Sequence, residues 1–362
     1  MFIEKAYTLL RKDGFFGFVV PNNWLTLDKS YDLRKFLIDK TANLQVINLG
    51  NNIFDSASVD TCILSFKVSR NDNICFGEWN KESGLVVYQT KSKKLLTESN
   101  LYFQISQPHD QSVLQKITNR KIELKNIAIV KAGVQVYEIG KGNPKQTAKI
   151  KTERQYHSKT QHDKNWLMYL DGKNVSRYIL SWSGEFVKYG KNLSRRRVES
   201  FFEQPRILVR QIPNKPPYCI HATYVENKIV NDLNSMIILQ KDNGFDLKYV
   251  LGVLNSKLIS YWFYYHFDKF QRKTFPQFKL SELDVFPIPN VIPDLQKPII
   301  ELANKAMELH NAYNTAGLTL KPILIDQISK TNKKIDEHVY DLFQLTKKEI
   351  QIVESDYYTK TV

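Results

Sequence analysis

Lys188, Lys191, Arg195, Arg196 and Arg197 fall in one short stretch, with Tyr189 among them and no carboxylate between. A second group, Lys269, Arg272, Lys273 and Lys279, is interleaved with Phe267, Phe270, Phe275 and Phe278. Clustered cations suit a polyanion, because each neutralised phosphate releases condensed counterions. Arg210 stands beside Gln211, and Asn214, Gln271 and Gln277 lie close to the same clusters. Amide side chains can read adenine edges and Arg or Lys can read guanine edges, while phosphate contacts set position. Gln211, Asn214, Gln271 and Gln277 are therefore candidate readers of bases. Lys188, Lys191, Arg195, Arg196, Arg197, Arg210, Lys269, Arg272 and Lys273 are candidate DNA contacts. Most other aromatics here, Trp262, Phe263 and Tyr265 among them, are expected in the core.

The charge balance points the same way. The chain has 362 residues with 52 Lys and Arg against 37 Asp and Glu, a formal charge of +15, and a pI near 9.4. Residues 171–280 hold 18 basic and 9 acidic residues, so +9 of that excess lies in under a third of the chain. Hydrophobic residues at 42% and charged ones at 25% fit an ordinary globular protein, here of two or three domains. Cys62, Cys75 and Cys219 are odd in number and widely spaced, which predicts reduced thiols and a cytoplasmic setting. No Cys or His spacing suits zinc, and no metal site is expected. There is no signal-peptide pattern and no apolar run of the ~18 residues a membrane span needs.

Helix and strand alternate over residues 1–70, which predicts an α/β layer. A helix is expected over Phe2–Arg11, a strand over Phe15–Val20, a helix over Tyr31–Leu37, and strands over Leu44–Leu49 and Cys62–Val68. The strand at 15–20 is apolar on both faces and expects cover on both, whereas the first helix covers one. Three strands and two helices cannot bury such a sheet, so this segment is expected to dock onto further structure. Residues 71–120 read as a bridge between domains, with short strands at 74–79 and 85–88 and a helix over 111–122. Residues 121–290 are rich in short strands and turns, including a strand over 127–136 that Gly133 interrupts and a strand over 205–211. A single helix is expected over 247–267. Residues 291–362 read as helical, with Ile325, Ile328, Ile335, Val339, Leu342 and Phe343 as the packing face of a helix over 323–345. A short helix follows Thr346 as N-cap.

The order of elements in residues 1–68, with Pro21-Asn22-Asn23-Trp24-Leu25 after the first strand and Asn52-Ile53-Phe54-Asp55 in the last loop, resembles TaqI-like DNA adenine-N6 methyltransferases of restriction–modification systems. It matches the second half of their catalytic domain. Five further stretches resemble their target-recognition domain, itself similar to the specificity subunits of type I restriction systems. These are Lys131–Gln135, Leu170–Tyr178, Pro205–Gln211, Leu251–Ile259 and Phe286–Pro289. Ile335–Thr346 resembles the usual C-terminal end. The resemblance implies a fold class of α/β, a partial Rossmann-like methyltransferase sheet, followed by an α+β target-recognition domain and a helical C-terminal tail. The implied domains are 1–70, a bridge at 71–120, target recognition at 121–290 and a tail at 291–362.

Such enzymes flip an adenine out of the duplex beside S-adenosylmethionine. An Asn-Pro-Pro-Tyr aims the exocyclic nitrogen at the methyl carbon in line. No Asn-Pro-Pro-Tyr occurs here. The resemblance therefore implies that the cofactor is held mainly by an N-terminal half outside this chain, without which the chain is inactive. Phe54 takes the place of a second aromatic that contacts the flipped base. Asn22 and Asn23, expected at the carboxyl end of a parallel strand, would line the same pocket. Two look-alikes are set aside. Asn214-Lys215-Pro216-Pro217-Tyr218 carries an extra Lys and falls inside the recognition domain. Gly140-Lys141-Gly142 lacks a following helix and a ribose-binding acid, so it is no cofactor loop. The leading expectation is the sequence-reading part of a site-specific adenine methyltransferase, with double-stranded DNA and an N-terminal methyltransferase half or restriction partner as partners. The alternatives are a non-enzymatic DNA-binding specificity subunit of a restriction or phage-defence complex, or a degenerate remnant that still binds DNA.

Overall fold

The computed structural model describes residues 2–355 apart from 26–27, 51–52, 55–58, 72, 80–83, 85, 93–100, 102, 104–111, 268–276 and 278. The chain divides into two compact units, Met1–His109 with Phe267–Phe275, and Asp110–His266 with Pro276–Val362.

In the first unit α1 (Phe2–Leu9) leads into β1 (Phe15–Pro21), and α2 (Tyr31–Lys40) leads into β2 (Ala42–Gly50). β3 (Thr61–Lys67), β4 (Asn73–Trp79) and β5 (Val86–Ser92) follow. They form one sheet in the order β1-β3-β2-β4-β5. β3 runs antiparallel between β1 and β2, β4 is parallel to β2, and β5 is antiparallel to β4. The sheet is thus mixed, and β1 has only an antiparallel neighbour among the described residues. The expected boundary at residue 70 does not divide the structure, since two strands from the expected bridge pair into this sheet.

The core of this unit gathers Ile3, Phe16, Leu37, Leu44, Val46, Leu64, Phe66 and Phe76. Arg34 is fully buried and donates from Nη1 to the Trp24 carbonyl at 2.6 Å, which closes the turn after β1. The two-sided burial expected for β1 is not met: Phe16 alone is buried, while Phe15 is 70% exposed, Phe18 47% and Val19 41%.

In the second unit α3 (Ser112–Arg120), β6 (Lys121–Glu123), α4 (Leu124–Ile127) and β7 (Ala128–Ala132) come first. Then come α5 (Ala148–Thr152), β8 (His157–Ser158), β9 (Trp166–Leu170), β10 (Val175–Ser176), β11 (Ile179–Leu180) and β12 (Phe186–Lys188). β13 (Arg206–Arg210), β14 (Ala222–Val225), β15 (Val230–Asn231) and β16 (Ser235–Gln240) complete two four-stranded sheets. Their orders are β15-β9-β12-β8 and β14-β13-β16-β7. Leu167, Tyr169 and Val187 from the first sheet meet Leu208, Ile237 and Leu239 from the second in one core. At Gly133, after β7, a Cβ would stand 2.0 Å from the Asp232 carbonyl oxygen, so only glycine admits this approach.

The helix expected over 247–267 is two helices, α6 (Leu247–Leu254) and α7 (Lys257–His266). Asn255 breaks it by pairing with the backbone of Ala222 in both directions, at 3.0 and 3.2 Å. α8 (Leu280–Leu283), β17 (Pro287–Pro289), α9 (Pro293–Thr315), α10 (Lys321–Leu342) and α11 (Lys347–Glu354) end the chain. Thr346 caps α11 as expected. Ile325 is exposed, contrary to its expected place on the packing face of α10. That face runs through Thr331, Asn332, Ile335, Asp336 and Val339, because α10 buries only its second half. The helical tail belongs to the same compact unit as the sheets. Arg177 ties it in, donating to the Asn255 carbonyl at 2.9 Å and to Asn332 Oδ1 at 3.3 Å.

Candidate nucleic-acid interface

The basic segment after β12 is a fixed loop. The Lys188 amide bonds the Tyr156 carbonyl at 2.9 Å, and Asn192 Nδ2 returns to the Lys188 carbonyl at 2.9 Å. Arg195 and Gln135 exchange backbone bonds at 3.0 and 3.2 Å, as one rung of an antiparallel ladder. Ser194 Oγ donates to the Gln135 carbonyl at 2.8 Å. Beneath the loop His157 Nδ1 pairs with the Tyr137 hydroxyl at 2.8 Å, and Tyr137 stacks on Tyr156. Burial, with the Arg154 charge nearby, holds His157 neutral by pushing its pKa down to about 3. Burial also pushes the Tyr137 phenol up to about 12. The His157–Tyr137 pair thus stays uncharged at ordinary pH.

The loop sorts its cations. Lys188, Lys191, Arg195 and Arg196 are exposed. Arg196 lies over the Tyr189 ring, 5.2 Å from Cζ to the ring centre, which holds the guanidinium without neutralising it. Arg195 sits 3.5 Å from Glu138. Arg197 turns inward instead: half-buried, it donates Nε to the Gly133 carbonyl at 3.0 Å. Tyr189 hydroxyl bonds the Arg197 carbonyl, locking that turn. Four of the five expected cations therefore face solvent together, and the fifth braces the backbone.

Arg210 and Gln211 are half-buried at the end of β13, where the Arg210 amide bonds the His221 carbonyl at 2.9 Å and the Gln211 amide the Asn234 carbonyl at 2.8 Å. Asn214 and Gln277 are exposed. Lys269, Gln271, Arg272 and Lys273, with Phe270, Phe275 and Phe278, lie outside the described residues. Tyr218 of the look-alike pentapeptide donates to Asp336 at 2.7 Å and packs under Arg177, so that stretch serves the attachment of the tail. Sequence reasoning missed Arg206. It is fully buried and bonds the carbonyls of Gln204, Asn227 and Ile229. Desolvation lowers its pKa to about 10. An Arg opening an apolar strand gave no signal separating it from a DNA contact.

In the first unit β1 and β2 run the same way, with β3 reversed between them, so the ends carrying Asn22 and Asn48 share one edge of the sheet. Asn22 is buried there, with Nδ2 on Asn48 Oδ1 at 3.2 Å and its amide on the Asp60 carbonyl at 3.0 Å. Its Oδ1 is buried without a hydrogen-bond partner. The expectation of a parallel strand ending at Asn22 is corrected in one respect: β1 has no parallel neighbour among the described residues, and Asn22 is turned in toward β2. Asn23 is exposed, and Phe54 is 47% exposed in the loop between β2 and β3.

Two families match by sequence. Residues 167–288 match the TaqI-like C-terminal specificity domain, and residues 1–54 match the Eco57I restriction-modification methylase. A putative type II restriction enzyme and methyltransferase of Methanocaldococcus jannaschii is 26% identical over 343 residues, covering 90% of this chain and 28% of that protein. The type II restriction enzyme and methyltransferase RM.Eco57I of Escherichia coli is 24% identical over 180 residues, 49% of this chain and 17% of that one. Both relatives are named as type II restriction enzymes and methyltransferases. This chain spans under a third of the length of either. In fold it is similar to the type IIL restriction–modification enzyme MmeI in complex with DNA, with a TM-score of 0.53 and 11% identity over 96% of this chain and 50% of that one. It is also similar to a nuclease-deletion mutant of the type ISP restriction–modification enzyme LlaGI in complex with a DNA substrate mimic, with a TM-score of 0.51 and 14% identity over 87% of this chain and 37% of that one. The exposed loop Lys188–Arg197 falls inside the matched specificity domain, as do Arg210 and Gln211.

Proposed function

We propose that this chain is the DNA-reading part of a site-specific adenine-N6 methyltransferase of a restriction–modification system. The observation that carries the reading is the fixed loop Lys188–Arg197, which presents four exposed cations from the specificity domain. Its phosphate contacts would set the register, and Gln211 and Arg210 at the end of β13 would read base edges.

The chemistry needs a second part. S-adenosylmethionine supplies the methyl group in this reaction class, and the residues described here do not fit it. The one Gly-x-Gly, at Gly140–Gly142, leads into the five-residue α5, which is too short to be the helix of a dinucleotide cradle. The edge of β1, unpaired among the described residues and with Phe15, Phe18 and Val19 exposed, supports docking onto a cofactor-bearing half. An antiparallel strand inserted between two like-running strands fits the end of a larger sheet. In such an assembly Asn23 and Phe54 would face the flipped adenine, while Asn22 would hold the turn between them.

The test is transfer of labelled methyl from S-adenosylmethionine to mixed-sequence DNA, by the chain alone and with the cofactor-bearing half added. Transfer only with that half is expected. DNA binding without transfer in either case would leave a non-enzymatic specificity subunit, and absence of both would refute the reading.

A further inference from the structure

We propose that the segment Glu138–Thr147 and the loop Lys188–Arg197 form one two-loop clamp on the sugar–phosphate backbone of duplex DNA, with Lys141 and Lys145 as phosphate contacts beside Lys188, Lys191 and Arg196. The inference rests on the DNA-recognition reading above and deepens it.

The two loops are one body. Gln146 is buried, and its amide both ties the first segment to itself and reaches across to the second loop. Its Nε2 donates to the Val136 carbonyl at 2.8 Å and to the Asn192 carbonyl at 2.7 Å, and its Oε1 accepts from the Glu138 amide at 2.8 Å. The Asn143 amide bonds the Lys191 carbonyl at 2.8 Å. The Gly140 amide bonds the Gln146 carbonyl, and the Gln146 amide the Lys141 carbonyl, both at 2.8 Å, so the first loop is tied within itself as well. Gly142 has φ +81°, and a Cβ there would stand 2.4 Å from the Asn192 carbonyl oxygen. Glycine is thus required on two counts, for its positive φ and for the contact between loops. Gly140-Lys141-Gly142, empty of meaning as a cofactor loop, has its purpose in this joint.

The joined loops are strongly cationic. Residues 138–151 carry Lys141, Lys145, Lys149 and Lys151 against Glu138, and residues 188–197 carry five cations and no carboxylate. Lys141, Lys145, Lys188 and Lys191 have no carboxylate partner among the described residues. Some exposed lysines elsewhere in this unit do find partners, as Lys228 does with Glu199 and Glu203 at 2.7 and 2.8 Å. Like charges held close on a rigid frame repel one another, and a polyanion relieves that repulsion. A merely solvated lysine face needs no buried glutamine to fix it. A surface that must meet phosphates at set spacing does, because backbone order established before binding need not be bought at binding.

The experiment is fluorescence anisotropy of a labelled mixed-sequence duplex, titrated with the full chain over a range of KCl concentrations. Lys141→Gln/Lys145→Gln is compared with Lys305→Gln/Lys333→Gln, an equal charge change on exposed positions of α9 and α10, and unfolding midpoints are checked for both. The first pair is expected to lower the slope of log affinity against log salt by about two units, at roughly 0.9 per phosphate, and the second to leave it unchanged. An equal fall in both pairs would assign the effect to net charge and overturn the clamp. An unchanged slope in the first, with DNA still bound, would overturn the clamp and leave the DNA-recognition reading standing. Failure of the unaltered chain to bind at low salt would overturn both.

Discussion

Tyr218→Phe should destabilise the chain more near pH 8 than near pH 5. The Tyr218 hydroxyl donates to Asp336 Oδ2 at 2.7 Å, and the Lys257 amide donates to Oδ1 at 2.8 Å. Burial pushes the Asp336 carboxyl up to about 6, while these bonds and the charges of Arg177 and Lys257 pull it part of the way back. The folded chain therefore holds a proton between about pH 4 and 6 that the unfolded chain releases. Asp336 favours folding below that window and disfavours it as pH rises through about 6. Tyr218→Phe keeps the ring under Arg177, 3.8 Å from Cζ to the ring centre, and removes only the donor. Near pH 8 the lost bond is to a carboxylate and costs about 1.5–3 kcal/mol. Near pH 5 the folded carboxyl is about ten-to-one protonated, and the lost neutral bond costs about 0.5–1.5 kcal/mol. For a unit of this size the melting temperature should fall by about 4–8 °C at the higher pH and about half that at the lower. Thermal unfolding of the full chain, variant against unaltered at each pH, is the assay. A loss equal at the two pH values, or larger near pH 5, refutes the coupling between this hydroxyl and the ionised carboxylate.

Arg206→Ala should cost about 3 kcal/mol or more, since it strips three carbonyls of a buried guanidinium, and a urea midpoint shift worth under ~1 kcal/mol would contradict that. Arg196→Ala should flatten the salt dependence of DNA binding by about one unit of slope and leave the unfolding midpoint alone. Arg197→Ala should do the reverse, losing about 1 kcal/mol of stability at unchanged slope, because its Nε is engaged with Gly133. Phe15→Ser/Phe18→Ser should reduce self-association of the isolated chain in light scattering while impairing methyl transfer in the presence of the cofactor-bearing half. Unimpaired transfer would show that the β1 edge is not the docking surface.

Much of the element order and the uneven charge of the chain were legible without the fold. Apolar spacing located β2, β3 and α10 closely, since a core face imposes its period on the chain whatever the rest of the fold does, and the Thr346 cap located α11. The charge excess and the cationic run Lys188–Arg197 were readable in the same way, because composition fixes net charge without reference to packing. Tertiary structure alone decided how like residues divide their work. Arg196 and Arg197 are neighbours of one type, yet one faces solvent over Tyr189 and the other braces Gly133, a difference made by a strand far away in sequence. Asn255 broke one expected helix into two because Ala222 came within reach of its amide. Ile325 is periodic with the packing face of α10 but exposed, because α10 buries only its second half. Gln146 drew no notice and Gly142 was weighed only as part of a rejected cofactor loop, since both meet Asn192 across the fold. Local periodicity reports which face is buried; it carries no record of which distant backbone group will meet it.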